Sequence, residues 1–154
     1  MKESIVYKFL PSKEHDAESV TLREDSVAYL VKPQKSLVAQ LREGFPMSEF
    51  RVLQDLLLIP EEELGRFLGV SPATLHRRKK SGHLETSESE RVVRFARLFG
   101  LTMEVFEAEE VAREWLKSAN PGTAGESPLS YADTEFGARE VENLLGRLDY
   151  GVFS

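Results

Sequence analysis

The stretch Leu68-Gly69-Val70-Ser71-Pro72-Ala73-Thr74-Leu75-His76-Arg77-Arg78-Lys79-Lys80-Ser81-Gly82 decides the fold. Gly69-Val70 makes a tight turn. Ser71 is a hydroxyl N-cap, able to accept from a first-turn N–H, and Pro72 takes the first helical position, where a missing N–H costs nothing. Gly82 closes the helix, so the spacing predicts a helix over 72–80. Just upstream, Glu61-Glu62-Glu63 sits where a helix dipole favours carboxylates, and Leu64, Phe67 and Leu68 supply an apolar face. Helix, glycine-containing turn, helix is the helix-turn-helix pattern.

The second helix is also the most basic stretch of the chain. With Leu75 as inward anchor and about 100° per residue, Ala73, Arg77 and Lys80 face most directly outward, flanked by Thr74 and His76. Arg78 and Lys79 fall on the inner shoulders. A major groove accepts a helix with such a face: arginine reads guanine edges in bidentate fashion, while lysine and the outer arginines hold phosphates. Ser71, Ala73, Thr74, His76, Arg77, Arg78 and Lys80 are therefore the candidate DNA-binding residues. A solvated basic face on a helical hairpin is the plainer reading, and the cap, turn and anchor spacing favour DNA. Arg91, Arg94 and Arg97 recur on the next helix, either extending the phosphate surface or pairing with acids of neighbouring helices.

Outward from this unit the pattern stays helical. Towards the N-terminus, 36–43 reads as a short helix with Leu37, Val38 and Leu41 on one face and Gly44 as its stop, and Ser48 caps a helix carrying Phe50, Leu53, Leu56 and Leu57 that Pro60 ends. Towards the C-terminus, Ser87 with Glu90 forms a capping box, Val92, Phe95, Ala96 and Phe99 give an apolar stripe, and Gly100 ends that helix. A further helix over 102–118 places Phe106, Val111, Ala112 and Trp115 in the core. After Asn120-Pro121-Gly122 and Ser127-Pro128, Asp133 or Thr134 caps a last helix packed through Val141, Leu144, Leu145 and Leu148. Ile5-Val6-Tyr7 and Val27-Ala28-Tyr29-Leu30-Val31 read either as short strands of a β-arm or as extended arms that order against a partner.

Composition narrows the function classes. The 154 residues contain no cysteine, which excludes disulfides, thiolate metal sites and a cysteine nucleophile. No stretch approaches the roughly 20 apolar residues of a membrane span, and the N-terminus does not read as a signal peptide, so the expected location is the cytoplasm. His15, His76 and His83 show no ligand spacing, and Glu104, Glu107, Glu109, Glu110 and Glu114 read as a solvated helix face rather than a metal site. With no phosphate loop or dinucleotide fingerprint either, nothing points to an enzyme, a metal or a cofactor. The net charge of −6 is unevenly spread: residues 62–97 hold 8 Lys+Arg against 5 Asp+Glu, whereas residues 98–154 hold 4 against 11. A basic middle and an acidic end suggest two surfaces with two partners. The final Tyr150-Gly151-Val152-Phe153 is apolar for a chain end, either folding back on its own helix or inserting into a partner.

The stretch 68–78 resembles the helix-turn-helix of Xre-type antitoxins. The downstream series is similar to the toxin-binding domain of antitoxins paired with RES-domain toxins. It comprises Glu88-Ser89-Glu90-Arg91, Trp115-Leu116 with Asn120-Pro121, Ser127-Pro128-Leu129, Gly137-Ala138-Arg139-Glu140-Val141, and the run from Leu144-Leu145-Gly146-Arg147 to Ser154. The likeness covers about 36–154 and leaves out 1–35. It implies a partner toxin that consumes or transfers from NAD, an antitoxin that covers the toxin's active site with its C-terminal end, repression of the pair's own promoter at operator DNA, and a homodimer of the antitoxin within a larger complex. Carried onto this chain, the toxin-binding residues are Arg139, Asn143, Arg147, Tyr150, Gly151, Val152, Phe153 and Ser154, with Arg147, Tyr150 and Phe153 foremost. The acidic C-terminal half suits a basic, NAD-phosphate-accommodating cleft.

The resulting expectation is an all-α chain: an N-terminal arm over 1–35, a helix-turn-helix module over 36–100, and a toxin-binding domain with its tail over 101–154. The alternatives are a stand-alone helix-turn-helix transcription regulator whose C-terminal domain dimerises or senses a ligand, and an adaptor that binds no DNA.

Overall fold

The computed structural model describes residues 4–11 and 35–151, and every regular element among them is helical. A 3₁₀ turn, Val6–Phe9, comes first. The α-helices are α1 (Leu37–Glu43), α2 (Met47–Leu57), α3 (Glu61–Phe67), α4 (Pro72–Ser81), α5 (Thr86–Phe106), α6 (Glu109–Lys117), α7 (Pro128–Tyr131) and α8 (Glu135–Asp149). A second 3₁₀ turn, Pro121–Thr123, links α6 to α7.

The 21-residue α5 is the axis of the molecule. Val92, Phe95, Ala96, Leu98 and Phe99 on it are fully buried, and α1, α2, α6, α8 and the N-terminal turn all pack on it. Phe50, Leu53 and Leu57 of α2, Leu64 and Leu68 of the helix-turn-helix, Leu116 of α6 and Val141 and Leu145 of α8 join the same apolar cluster. One core therefore runs from Ile5 to Leu145.

Several boundaries differ from the sequence-based expectation. Gly100 does not end a helix: α5 runs through it and stops at Glu107, which takes a left-handed φ of 58°. Gly100 serves close packing, because a Cβ there would lie 1.8 Å from the Phe9 carbonyl oxygen. The cap of α5 is Glu85 with Glu88, not Ser87 with Glu90. Ser48 lies inside α2, whose N-cap is Pro46, and Leu58, at φ 50°, ends α2 before Pro60, which instead caps α3. Leu37 and Val38 of α1 are exposed, and so is Val111 of α6. Phe106 and Trp115 are partly buried, their ring centroids 5.7 Å apart.

Ile5-Val6-Tyr7 is not a strand. Ile5 and Val6 are buried at the entry to the 3₁₀ turn, and the buried carboxylate of Glu49 accepts from Ile5 N (2.9 Å), Val6 N (3.2 Å) and Ser4 Oγ (2.6 Å). This one side chain satisfies backbone donors that would otherwise be stranded in the core. The run 27–31 lies outside the described residues. No helix among the described residues is long and apolar enough to cross a membrane.

Candidate nucleic-acid interface and partner-binding face

The geometry of the helix-turn-helix follows from its local sequence. Ser71 Oγ accepts from Thr74 N at 3.2 Å and Pro72 opens α4, while Gly82 closes it at φ 80°. Gly65, inside α3, lets the two helices meet: a Cβ there would press to 3.2 Å from the Val70 carbonyl oxygen, with a Leu75 methyl at 3.7 Å. Leu75 is buried as the anchor.

On α4 and its cap, Ser71, Ala73, His76, Arg77 and Lys80 are exposed and Thr74 is half-buried. Arg77 Nη2 donates to Thr74 Oγ1 at 3.1 Å, so the guanidinium lies along the outward face near the N-terminal end. Arg78 is placed differently. Its side chain is only 16% exposed and donates through Nε and Nη2 to the carboxylate of Glu88, with Glu85 at 3.0 Å as a second partner. Lys79 is held at 2.7 Å by Glu61 of α3. The cations left outward on α4 are thus Arg77 and Lys80.

Helix α5 holds this unit from behind through two side chains. Glu88 binds Arg78 and accepts from Glu85 N at 2.8 Å, tying the recognition helix to the cap of α5. Burial alone would raise the Glu88 pKa, but the bonds from the Arg78 guanidinium and the Glu85 N–H outweigh it and hold the carboxyl below its ordinary value. The Glu88 bond in turn raises the Arg78 guanidinium. Arg91 Nη1 donates to the Leu68 carbonyl at 2.6 Å and so fastens the turn between the two helices. These roles were not assigned from sequence, because Ser87-x-x-Glu90 satisfies the usual capping pattern better than Glu85-x-x-Glu88 does.

The second surface is the outward side of α8. Thr134 caps this helix, accepting from Gly137 N at 3.0 Å. Ala138, Val141 and Leu145 are buried, and Gly137 allows α7 to approach, since a Cβ there would lie 2.0 Å from the Tyr131 carbonyl oxygen. One flank of α8 is bound to α5: Arg94 Nε meets Glu135 at 3.1 Å, and Arg97 meets Glu135 at 3.1 Å and Glu142 at 2.8 Å. Burial would raise the Glu135 carboxyl, but bonds from Arg97 and Arg94 leave it lowered. Arg94 and Arg97 therefore pair with acids of a neighbouring helix, one of the two readings left open above. Glu140 accepts the hydroxyl of Tyr131.

Away from these contacts, Arg139, Asn143 and Arg147 are exposed, as are Tyr150 at 84% and Gly151 at the helix end. Phe136, 74% exposed, shares their side of the helix and was not singled out from sequence; its spacing from 139, 143, 147 and 150 is the signal that was there to read. Val152, Phe153 and Ser154 lie outside the described residues. No group of three or more His, Asp or Glu among the described residues could hold a metal ion.

A family model described as the Antitoxin Xre-like helix-turn-helix domain matches residues 36–97, and one described as the Antitoxin Xre/MbcA/ParS C-terminal toxin-binding domain matches residues 102–151. The chain is 34% identical over 120 residues to Antitoxin Xre of Yersinia enterocolitica serotype O:8 / biotype 1B, an overlap of 77% of this chain and 81% of that protein. It is 31% identical over 120 residues to Antitoxin Xre of Photorhabdus laumondii subsp. laumondii, with the same shares of each chain covered.

Proposed function

This chain belongs to the Xre antitoxin family, and from that premise we propose that it covers the active site of a RES-type toxin that consumes NAD while its helix-turn-helix represses the operon encoding the pair. Inhibition in this reading is steric and needs no chemistry from the antitoxin. The carrying observation is the exposed end of α8 within the segment matched as toxin-binding: Tyr150 stands clear of its own helix, followed by Gly151 at φ 67° and then the remaining three residues of the chain. An aromatic held away from the fold is available to enter a partner's cleft. Arg139, Asn143, Arg147, Tyr150, Gly151, Val152, Phe153 and Ser154 are the residues assigned to that contact.

On the DNA side, Ser71, Ala73, Thr74, His76, Arg77 and Lys80 are assigned to the groove, with Arg78 acting through the orientation of α4. Two outward cations on α4 make a small electrostatic footprint for one copy carrying −6 overall. A homodimer with its recognition helices about 34 Å apart, one turn of DNA, would double the footprint and add half-site spacing as a source of choice.

The test is co-expression with the product of the adjacent gene, co-purification, and measurement of NAD loss with and without the full chain. The reading expects the neighbour to deplete NAD, the full chain to prevent it, and a chain ending at Arg147 to fail. A neighbour that neither co-purifies nor depletes NAD would leave a stand-alone regulator in its place.

A further inference from the structure

Residues 98–154 contain four cations against 11 acids, yet the outward face of α8 carries two exposed arginines, Arg139 and Arg147, against one exposed acid, Glu140. Arg113 is bound to Glu109 and to the Leu56 carbonyl, and Lys117 reaches the Leu58 carbonyl. Arg139 and Arg147 have no ion-pair partner among the described residues. Of the nearby acids, Glu135 and Glu142 are paired with the arginines of α5, Glu140 accepts the Tyr131 hydroxyl and stays an exposed carboxylate at the edge of this face, and exposed Asp149 falls on another side of the helix. At 3.6 residues per turn, Phe136, Arg139, Asn143, Arg147 and Tyr150 fall on one side of the helix, a strip about 21 Å long with an exposed aromatic at each end.

We propose that this strip is the docking face for the toxin, and that the toxin surface it meets is acidic, with carboxylates facing Arg139 and Arg147 and an apolar socket receiving Phe136. The proposal rests on the toxin-masking reading above and deepens it. Three features argue for this occupant. Aromatic and arginine side chains are the ones that most often anchor protein interfaces. The two free guanidiniums call for carboxylates on the opposite side. The strip is continuous with the exposed Tyr150, so docking along α8 would bring that aromatic to the partner. The acid-rich surface of α6, with exposed Glu110 and Glu114, lies off the strip and is not the contact itself.

The test uses the full chain and the product of the adjacent gene, with affinity measured by titration calorimetry. Arg139→Glu with Arg147→Glu should weaken binding about 100-fold, and Phe136→Ala about 30-fold. Arg139→Lys with Arg147→Lys should restore most of the loss, and Glu110→Lys should leave affinity unchanged. Melting curves and operator binding should match the parent for all variants, since these side chains are exposed. Unchanged affinity in the charge-reversed variant, with a chain ending at Arg147 still impaired, would overturn the strip and leave the masking reading intact. No binding by the parent chain would remove both. Loss of self-association in the charge-reversed chain alone would assign the strip to a second copy, and loss of operator binding would assign it to DNA; either result overturns the proposal.

Discussion

Glu88 is bonded to two helices at once, and its charge state is coupled to folding. Its carboxyl is held below the ordinary value, about 4.3, by Arg78 and the Glu85 N–H. A depressed folded pKa contributes stability that is present above the unfolded value and is lost as the pH falls through the folded one. Glu88→Gln should therefore cost about 2 kcal/mol at neutral pH, and the gap to the parent should close in acid below the folded pKa. Thermal melts from pH 7 down to pH 2 would check this, and a gap that stays constant over the range would contradict it. Arg77 and Lys80 separate two kinds of DNA contact. Arg77→Ala should relax sequence choice at one position, at about 1–3 kcal/mol, while Lys80→Ala should weaken all sequences alike and lower the salt slope by about 1. Titration of operator and scrambled duplexes at several salt concentrations distinguishes them.

Among the elements, α5 carries the most, and Gly100 shows how. Alanine is the better helix former by about 1 kcal/mol, so Gly100→Ala would stabilise an isolated α5. In the folded chain the added Cβ would lie 1.8 Å from the Phe9 carbonyl, and the N-terminal turn would have to lift, uncovering Ile5 and Val6. The net expectation is a loss of about 2 kcal/mol, with faster amide exchange at Ile5 and Val6. Gly146 of α8 is the control: a Cβ there meets nothing, so Gly146→Ala should gain about 0.5–1 kcal/mol. Differential scanning calorimetry of the two variants reads both signs.

For the molecule as a whole, the first family segment, 36–97, ends inside α5 and the second, 102–151, begins inside it, so the helix-turn-helix and C-terminal halves share a helix as well as a core. The bridge from Arg94 and Arg97 to Glu135 and Glu142 fixes α8 against that helix. Arg97 and Glu142 are both partly solvated, 37% and 28% exposed, so their coupling is modest. A double-mutant cycle of Arg97→Ala and Glu142→Ala should give about 0.5–1 kcal/mol, shrinking as salt is added. Zero coupling at low salt would mean that packing through Val141 and Leu145 and the Arg94–Glu135 bridge hold the two halves without this pair.

The sequence by itself determined the all-helical class, the helix-turn-helix from Ser71, Pro72 and Gly82, the anchor Leu75, the cap of α8 to within Asp133 or Thr134, and the outward positions of Arg77 and Lys80. Each of these follows from interactions within a few residues, where spacing and cap chemistry suffice. Tertiary structure decided the rest. Gly100 is a breaker by local propensity and a packing site once Phe9 lies on it. Glu107 ends α5 although it is neither glycine nor asparagine, because the turn to α6 requires its left-handed backbone. Arg78 and Arg94 are arginines that local spacing leaves as surface cations, and only the positions of Glu88 and Glu135, 10 and 41 residues away, turn them inward as structural partners. The strip on α8 is visible for the same reason: long-range pairing engages Glu135 and Glu142 with α5 and leaves Arg139 and Arg147 facing outward, and such pairing is not written in helical periodicity.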